Sequence, residues 1–395
     1  MAEKRRDNKG RILRTGESQR KDGRYAYKYT DSTGKPQFVY AWKLVATDKT
    51  PTGKRDDISL REKEAEINRD IADGIDAVGK KMTVCQLYAK QNSQRADVKR
   101  GTKKQREYLM GLLRNDPLGG KSIDAVKPSD AKEWAIRMKE KGFSFQSISN
   151  YKRSLRAAFF IAIEDDCVRK NPFSFALNKV LEDNRGEKTV LTPEQEVSLI
   201  DFAQNDKVYR KYVDELIILL GTGLRISEFC GLTTNLDFKN RLIRVDHQLL
   251  RDPKSGYYIE TPKTKSGYRE IPMSEPVYQA LKRVVKNRGK KTTIMIDGYT
   301  NFLFLKRDGT PKVGMDYNNM IRNLLKKYNK QHKEPLPNIT PHSLRHTFCT
   351  RMANAGMNPK ALQYIMGHAN ITMTLDYYTH VDACSVKAEM ERLAA

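Results

Sequence analysis

The sequence predicts a multi-domain fold: a small α+β N-terminal domain, an all-α helical domain, and a mainly α C-terminal domain with a small antiparallel sheet. Three observations carry this. At 395 residues the chain exceeds one ordinary core, so two or three domains are the default. The apolar pattern alternates near the N-terminus and takes helical spacing from about Thr83 to Pro172. A polar, charged stretch, NKVLEDNRGEKTV, then separates that pattern from a fresh helix start at Thr192. The expected divisions are 1–75, 80–177 and 190–395, with a linker near 178–190.

Composition narrows the partner before any motif is read. Net charge is +25 and the pI is near 9.7, an excess that no single lysine run holds and that marks a polyanion binder, nucleic acid first. There is no 18-residue apolar span and no positively flanked apolar leader, so neither membrane insertion nor secretion is predicted and a cytosolic location is expected. The cysteines Cys85, Cys167, Cys230, Cys349 and Cys384 are odd in number and form no C-x-x-C pair, so reduced thiols are expected and no zinc site follows.

Residues 1–55 carry 15 Lys/Arg against 6 Asp/Glu. Within them RYAYKYTDSTGKPQFVYAW alternates, with Tyr25, Tyr27 and Tyr29 on one face, a Gly/Pro turn, and Phe38, Tyr40 and Trp42 on the return. This is a basic, aromatic-rich hairpin suited to lying on DNA. A helix follows, with Ser59 as N-cap and Ile67 and Ile71 four apart. In the middle domain Ile148, Tyr151, Leu155, Phe159 and Ala162 recur at helical spacing while Lys152, Arg153 and Arg156 take other faces. Pro128 opens an earlier helix there, and Gly142 lies past its end. The third domain starts on Thr192-Pro193-Glu194-Gln195, with Thr as N-cap, Pro at the first helical position and Gln three past the cap.

Three constellations in that domain carry chemistry. In YVDELIILLGTGLRISEFCGLT the apolar run Ile217 to Leu220 stops at Gly221-Thr222-Gly223, and Arg225 opens the next helical stretch. A guanidinium on a rigid turn can fork two phosphate oxygens, and an ion pair with Glu228 or Glu215 is the plainer alternative. YYIETPKTKSGYREIPM reads as a β-hairpin with Lys265 at its tip side, Lys263 being the alternative on the same face. Such a lysine can give a proton to a leaving alkoxide, touch backbone phosphate, or simply be solvated.

The third stretch runs from Thr340 to His380 and holds four of the six histidines. Thr340 and Pro341 start a helix that Ala355-Gly356 ends; His342, Arg345, His346 and Cys349 fall on a face that presents polar groups, and Leu344, Phe348 and Met352 on one that packs. Ser343 stands where a zinc hydrolase helix would carry glutamate, so no metal is expected. Asn358-Pro359 starts a second helix that stops at Gly367 and fixes His368 just beyond it. Tyr377 and Tyr378 follow, and side chains about 100° apart on a helix cannot both aim at one site. Arginines that neutralise a five-coordinate phosphate, imidazoles that move protons and a phenol that attacks fit one reaction.

The motifs LGTGLRISEFCGL, TKSGYREIP, TPHSLRHTF, LQYIMGHANITMT and LDYYTHV resemble those of the tyrosine recombinases, the phage lambda integrase and Cre superfamily, in order over about residues 190–385. A basic β-rich domain followed by a helical one is similar to integrases of Gram-positive conjugative transposons. The resemblance implies that Arg225, His342 and Arg345 bind the scissile phosphate, that Lys265 protonates the 5′-hydroxyl, that His368 is the second histidine, and that Tyr378 forms the 3′-phosphotyrosyl bond. Tyr377 falls where the family varies and is expected to be a packing neighbour. The resemblance further implies arm-site binding by the first domain and a clamp of the other two on core-site double-stranded DNA. It also implies a homo-tetramer exchanging strands on two sites, an accessory bending or excision factor, and a DNA-associated place in the bacterial cytoplasm. Neither ATP nor metal cofactor is implied, and the tail to Ala395 would dock on a neighbouring protomer. The competing readings are a type IB topoisomerase and a non-enzymatic DNA-binding regulator.

Overall fold

The computed structural model describes residues 5–30, 34–73, 79–95, 98–184, 186, 189–262, 264–289, 294–378 and 390–391. Lys263 and residues 379–389 and 392–395 therefore lie outside the described residues, and with them the alternative lysine and most of the tail. The chain divides into two compact units, 1–186 and 187–395. Among the described residues no helix is long and apolar enough to cross a membrane.

The first unit opens with a three-stranded antiparallel sheet in the order β1 (Glu17–Gln19), β2 (Tyr25–Thr30), β3 (Pro36–Ala41). The strand β1 was not foreseen: its three residues are too few and too polar to show a period. Pairing sets Tyr27 opposite Val39 and Lys28 opposite Phe38. Strand alternation then turns Tyr25 and Tyr27 onto a core with Leu44 and Leu60, and leaves Phe38 and Tyr40 facing solvent. Helix α1 (Leu60–Ala72) starts at Ser59, whose backbone N–H and hydroxyl both donate to the Glu62 carboxylate. Ile67 packs on that core, but Ile71 is exposed.

A second core in the same unit is built by α2 (Val84–Ser93), α3 (Arg100–Arg114), α4 (Pro117–Gly120), α5 (Pro128–Glu140) and α6 (Phe145–Glu164). The stripe Ile148, Leu155, Phe159 and Ala162 is buried as its spacing requires, around Trp134 and Phe173. Gly142, at φ +85°, takes the left-handed turn that separates α5 from α6.

The second unit is helical around two small antiparallel pairs. Its elements are α7 (Pro193–Asn205), α8 (Val213–Thr222), α9 (Ile226–Gly231), β4 (Leu242–Val245), β5 (Gln248–Asp252), β6 (Gly256–Glu260), β7 (Arg269–Pro272), α10 (Glu275–Arg288), α11 (Gly314–Gln331), α12 (Pro341–Asn354), α13 (Pro359–Met366) and α14 (Thr372–Leu375). The Thr192 hydroxyl accepts from the Gln195 backbone and Gln195 answers on the Thr192 N–H, completing the box that opens α7. Within the core Phe229 stacks on Phe304, and Tyr317 meets both rings edge-on.

One expectation fails here. The hairpin read across Lys265 does not form: β6 pairs with β5 and β7 pairs with β4. The turn that closes is Asp252 to Gly256, where the Asp252 carboxylate accepts from the Lys254 and Ser255 amides and Gly256 sits at φ +81°. Pro262 follows β6 and has no N–H to continue a ladder, so the chain leaves the pair and crosses to β4. Lys265 thus sits in a single 3-10 turn, Lys265–Gly267, on the crossing between two sheets.

Candidate active site

The site is organised by the end of α13. Gly367 closes that helix in the left-handed conformation at φ +61°, and the last carbonyls of such a helix have no partner within it. Here three arginines supply the donors. Arg269 Nε donates to the Ile365 carbonyl at 2.6 Å, Arg345 Nη2 donates to the Met366 carbonyl, and Arg225 Nη2 donates to the Gly367 carbonyl at 3.0 Å. Three guanidiniums on three consecutive carbonyls at the negative end of a helix form a fixed cationic floor.

Each arginine is aimed from a different element. Arg225 is the N-cap residue of α9, and its backbone N–H and Nη1 both donate to Glu228, at 2.9 and 2.7 Å. The ion pair with Glu228 weighed from the sequence is therefore real, and it orients Arg225, whose side chain stays 37% exposed. Glu215 is instead paired with Lys312. Arg345 rises from the first turns of α12 and is buried, its Nη1 donating to the Gly223 carbonyl at 2.7 Å. Gly223 stands at φ +62° with a Cβ position only 2.5 Å from Phe348, so only glycine fits the turn that presents this carbonyl. The polar face of α12 is thus only partly covered: Arg345 and Cys349 are buried, His346 is half-buried and His342 is exposed.

Charge and burial set the protonation states. Burial, with Arg225 and Arg269 nearby, pushes Arg345 down to about 9, and it stays a cation at neutral pH. Burial, and then the charges of Arg345, Arg225 and Arg269, push His368 down to about 4, so its imidazole is neutral, with Nδ1 2.9 Å from the Thr374 hydroxyl. For Glu228 burial acts upward, but the hydrogen bonds and charge of Arg269, with the charge of Arg225, hold the carboxyl at about 2. A cleft of about 480 Å³ opens here, lined by Arg225, Gln248, Glu260, Thr264 and His368.

Of the six residues predicted from sequence, the structure brings Arg225, Arg345 and His368 together. His342 lies one turn from His346, ring against ring at 4.3 Å. Lys265 is exposed on its turn. The Tyr378 hydroxyl donates to the Met357 carbonyl, and burial pushes its pKa up. Tyr377, expected as a packing neighbour, does more: its hydroxyl meets His346 Nδ1, and burial pushes it up to about 12. Sequence reasoning missed Arg269, although its parity with Ile271 on a strand that buries alternate residues marks it as an inward arginine.

Residues 189–384 match the phage integrase family, and residues 1–71 match the DNA binding domain of tn916 integrase. The transposase from transposon Tn916 of Enterococcus faecalis is 67% identical over 394 residues, covering 100% of this chain and 97% of that one. The chain belongs to the phage integrase family. This recombinase is a DNA strand-cleaving and rejoining enzyme of the tyrosine class. The transposase from transposon Tn1545 of Streptococcus pneumoniae is also 67% identical, over the same shares of the two chains. The integrase of transposon Tn1549, solved with a circular intermediate DNA, is 62% identical with a TM-score of 0.76, covering 79% of this chain and 99% of that one. A lambda integrase dimer bound to a COC′ core site shares the fold, at 15% identity, a TM-score of 0.53, and 94% and 98% coverage.

The first unit of the recombinase carries two basic surfaces. On the outer face of the N-terminal sheet Phe38 is 54% exposed with Lys28 over its ring, and Arg24 and Lys54 lie over Trp42. Cations held on exposed aromatic rings present both charge and flat apolar area to a polyanion. Between α2, α3 and α6 a cleft of about 700 Å³ is lined by Arg95, Lys104, Arg106 and Arg153 with Tyr108 and Tyr151.

Proposed function

We propose that this recombinase integrates and excises a conjugative transposon. Tyr378 attacks the scissile phosphate, a 3′-phosphotyrosyl bond stores the energy of the broken linkage, and strands pass to a second duplex through a Holliday junction. The observation that carries the reading is the cationic floor: Arg225 and Arg345, held on successive carbonyls, offer fixed donors to the non-bridging oxygens of a phosphate as negative charge builds on it. His342 and neutral His368 complete the phosphate contacts, and Lys265 gives its proton to the 5′-oxygen that leaves. For attack, the Tyr378 hydroxyl must leave the Met357 carbonyl, so DNA engagement has to shift the short segment around α14.

In this reading residues 1–75 bind arm-type sites through the exposed Phe38 and Lys28 face, residues 80–177 hold core-site duplex on the helical cleft, and residues 190–395 cleave. The working species is a homo-tetramer on two DNA sites, assisted by a bending or excision factor, in the bacterial cytoplasm. Support comes from the relatives encoded by transposons and from the solved Tn1549 integrase complex with a circular intermediate DNA. The test incubates the full chain with two transposon-end duplexes and separately with supercoiled plasmid lacking them. Joint molecules that need matched sites support the proposal; relaxation without joint molecules would replace it with a topoisomerase.

A further inference from the structure

We propose that Arg269, which lies outside the six-residue set, is a positioning residue for strand cleavage that fixes Glu228, and through it Arg225, against the end of α13. The inference rests on the recombinase reading above. Arg269 Nη2 and Nη1 donate to the two carboxylate oxygens of Glu228 at 2.8 and 3.2 Å, Nε donates to the Ile365 carbonyl at 2.6 Å, and Nη1 also donates to the Gly267 carbonyl at 3.1 Å. Its side chain has no exposure, and its Nε, Nη1 and Nη2 all donate to protein acceptors, so its part is to hold other groups in place.

The geometry gives it a different task. Glu228 holds Arg225 by one backbone and one guanidinium bond, and a carboxylate that served Arg225 alone would be free to swing with it. The planar fork of Arg269 clamps both carboxylate oxygens, which removes that freedom. Its Nε bond anchors the clamp to Ile365, two residues before the Gly367 carbonyl that Arg225 reaches. Arg225 is therefore tied at both ends to one frame, of which Arg269 is the shared strut. Gly367 confirms how tight that frame is: a Cβ there would stand 3.0 Å from Arg269 Nη1 and 3.1 Å from the Ser266 carbonyl. The ammonium of a lysine keeps the charge but cannot fork the carboxylate and reach the carbonyl together.

The test uses the full chain with Arg269→Lys on nicked suicide duplexes carrying either a normal scissile phosphate or a methylphosphonate, whose missing charge lessens the need for a well-aimed Arg225. We expect unchanged DNA affinity, single-turnover cleavage of the phosphate slowed by about 100-fold, as for an ångström-scale misplacement, and most of that loss absent on the methylphosphonate. Arg225→Lys should show the same substrate pattern. Equal losses on both substrates would overturn the proposal, because a general packing defect does not distinguish them; so would cleavage of the phosphate at the parent rate. Should Arg269→Lys fail to bind DNA, Arg269→Gln is read on the same pair of substrates against the same outcomes. A parent chain that cleaves neither duplex would sink the recombinase reading and this inference with it, whereas failure confined to the variants' pattern sinks this inference alone.

Discussion

Replacing Glu228 by glutamine should cost the catalytic unit about 3 kcal/mol. The Glu228 side chain is nearly sealed from solvent, and its charge answers both Arg269 and Arg225. Glutamine keeps the volume and one acceptor but removes the charge, leaving two guanidiniums facing each other with Arg345 close behind. Two routes give the size. The carboxyl is held at about 2 against a reference of 4.5, and at about 1.4 kcal/mol per unit the ionised form is favoured by roughly 3 kcal/mol. Removing one partner of a buried ion pair elsewhere costs about 3–5 kcal/mol. The assay is urea unfolding of full-length parent and Glu228→Gln at neutral pH, with the second unit's transition followed by hydrogen exchange of its own peptides, since both tryptophans, Trp42 and Trp134, lie in the first unit. A loss below about 1 kcal/mol would mean that the carboxylate behaves as a solvated surface charge and does not hold the arginines.

Other outcomes follow from the same geometry. Arg225→Lys should keep DNA affinity and lose about 100-fold or more in cleavage, because a point charge cannot replace a bidentate fork; gel-shift and single-turnover assays on one duplex check this. His368 is pushed down to about 4 in the folded chain against 6.5, so between those values the unfolded state holds a proton that the folded state refuses. Stability from this group is therefore complete above about pH 6.5 and lost as pH falls toward 4, by about 3 kcal/mol at most and less with solvent screening; urea midpoints of parent and His368→Gln across that window report it. Lys28→Ala, on the exposed face of the N-terminal sheet, should lower the slope of log affinity against log salt for arm-site DNA by about one, and leave core-site cleavage unchanged.

The helix boundaries were legible because each carried its own chemistry. Thr192-Pro193, Thr340-Pro341 and Asn358-Pro359 start helices where capping predicts, and Gly367 stops one where only a left-handed residue can. The buried stripe of α6 was legible for the same local reason. Sheet partnership was not. Alternation around Lys265 is a property of each strand alone, and whether β6 returns on β7 or pairs with β5 depends on which turn the folded chain stabilises, here Asp252 to Gly256. The aim of the arginines was only half visible: sequence marks Arg225 and Arg345 as helix-start cations, but their common target, the end of α13, is more than a hundred residues from Arg225 and exists only after folding. The identity of Arg269 as their third companion was hidden because one inward arginine in a short strand looks like any strand lysine or arginine until its carboxylate is found.

One tyrosine, Tyr378, is expected to become joined to DNA. Its hydroxyl rests on the Met357 carbonyl while that of Tyr377 rests on His346, so the two are held by different partners and can be told apart by substitution. The direct measurement traps the full chain on a nicked suicide duplex and maps the DNA-linked peptide by mass spectrometry, with Tyr378→Phe and Tyr377→Phe run beside the parent. Attachment at Tyr378, abolished in Tyr378→Phe with DNA binding intact and still formed in Tyr377→Phe, is the predicted result. A covalent complex that persists in Tyr378→Phe, mapped to Tyr377, would contradict the account.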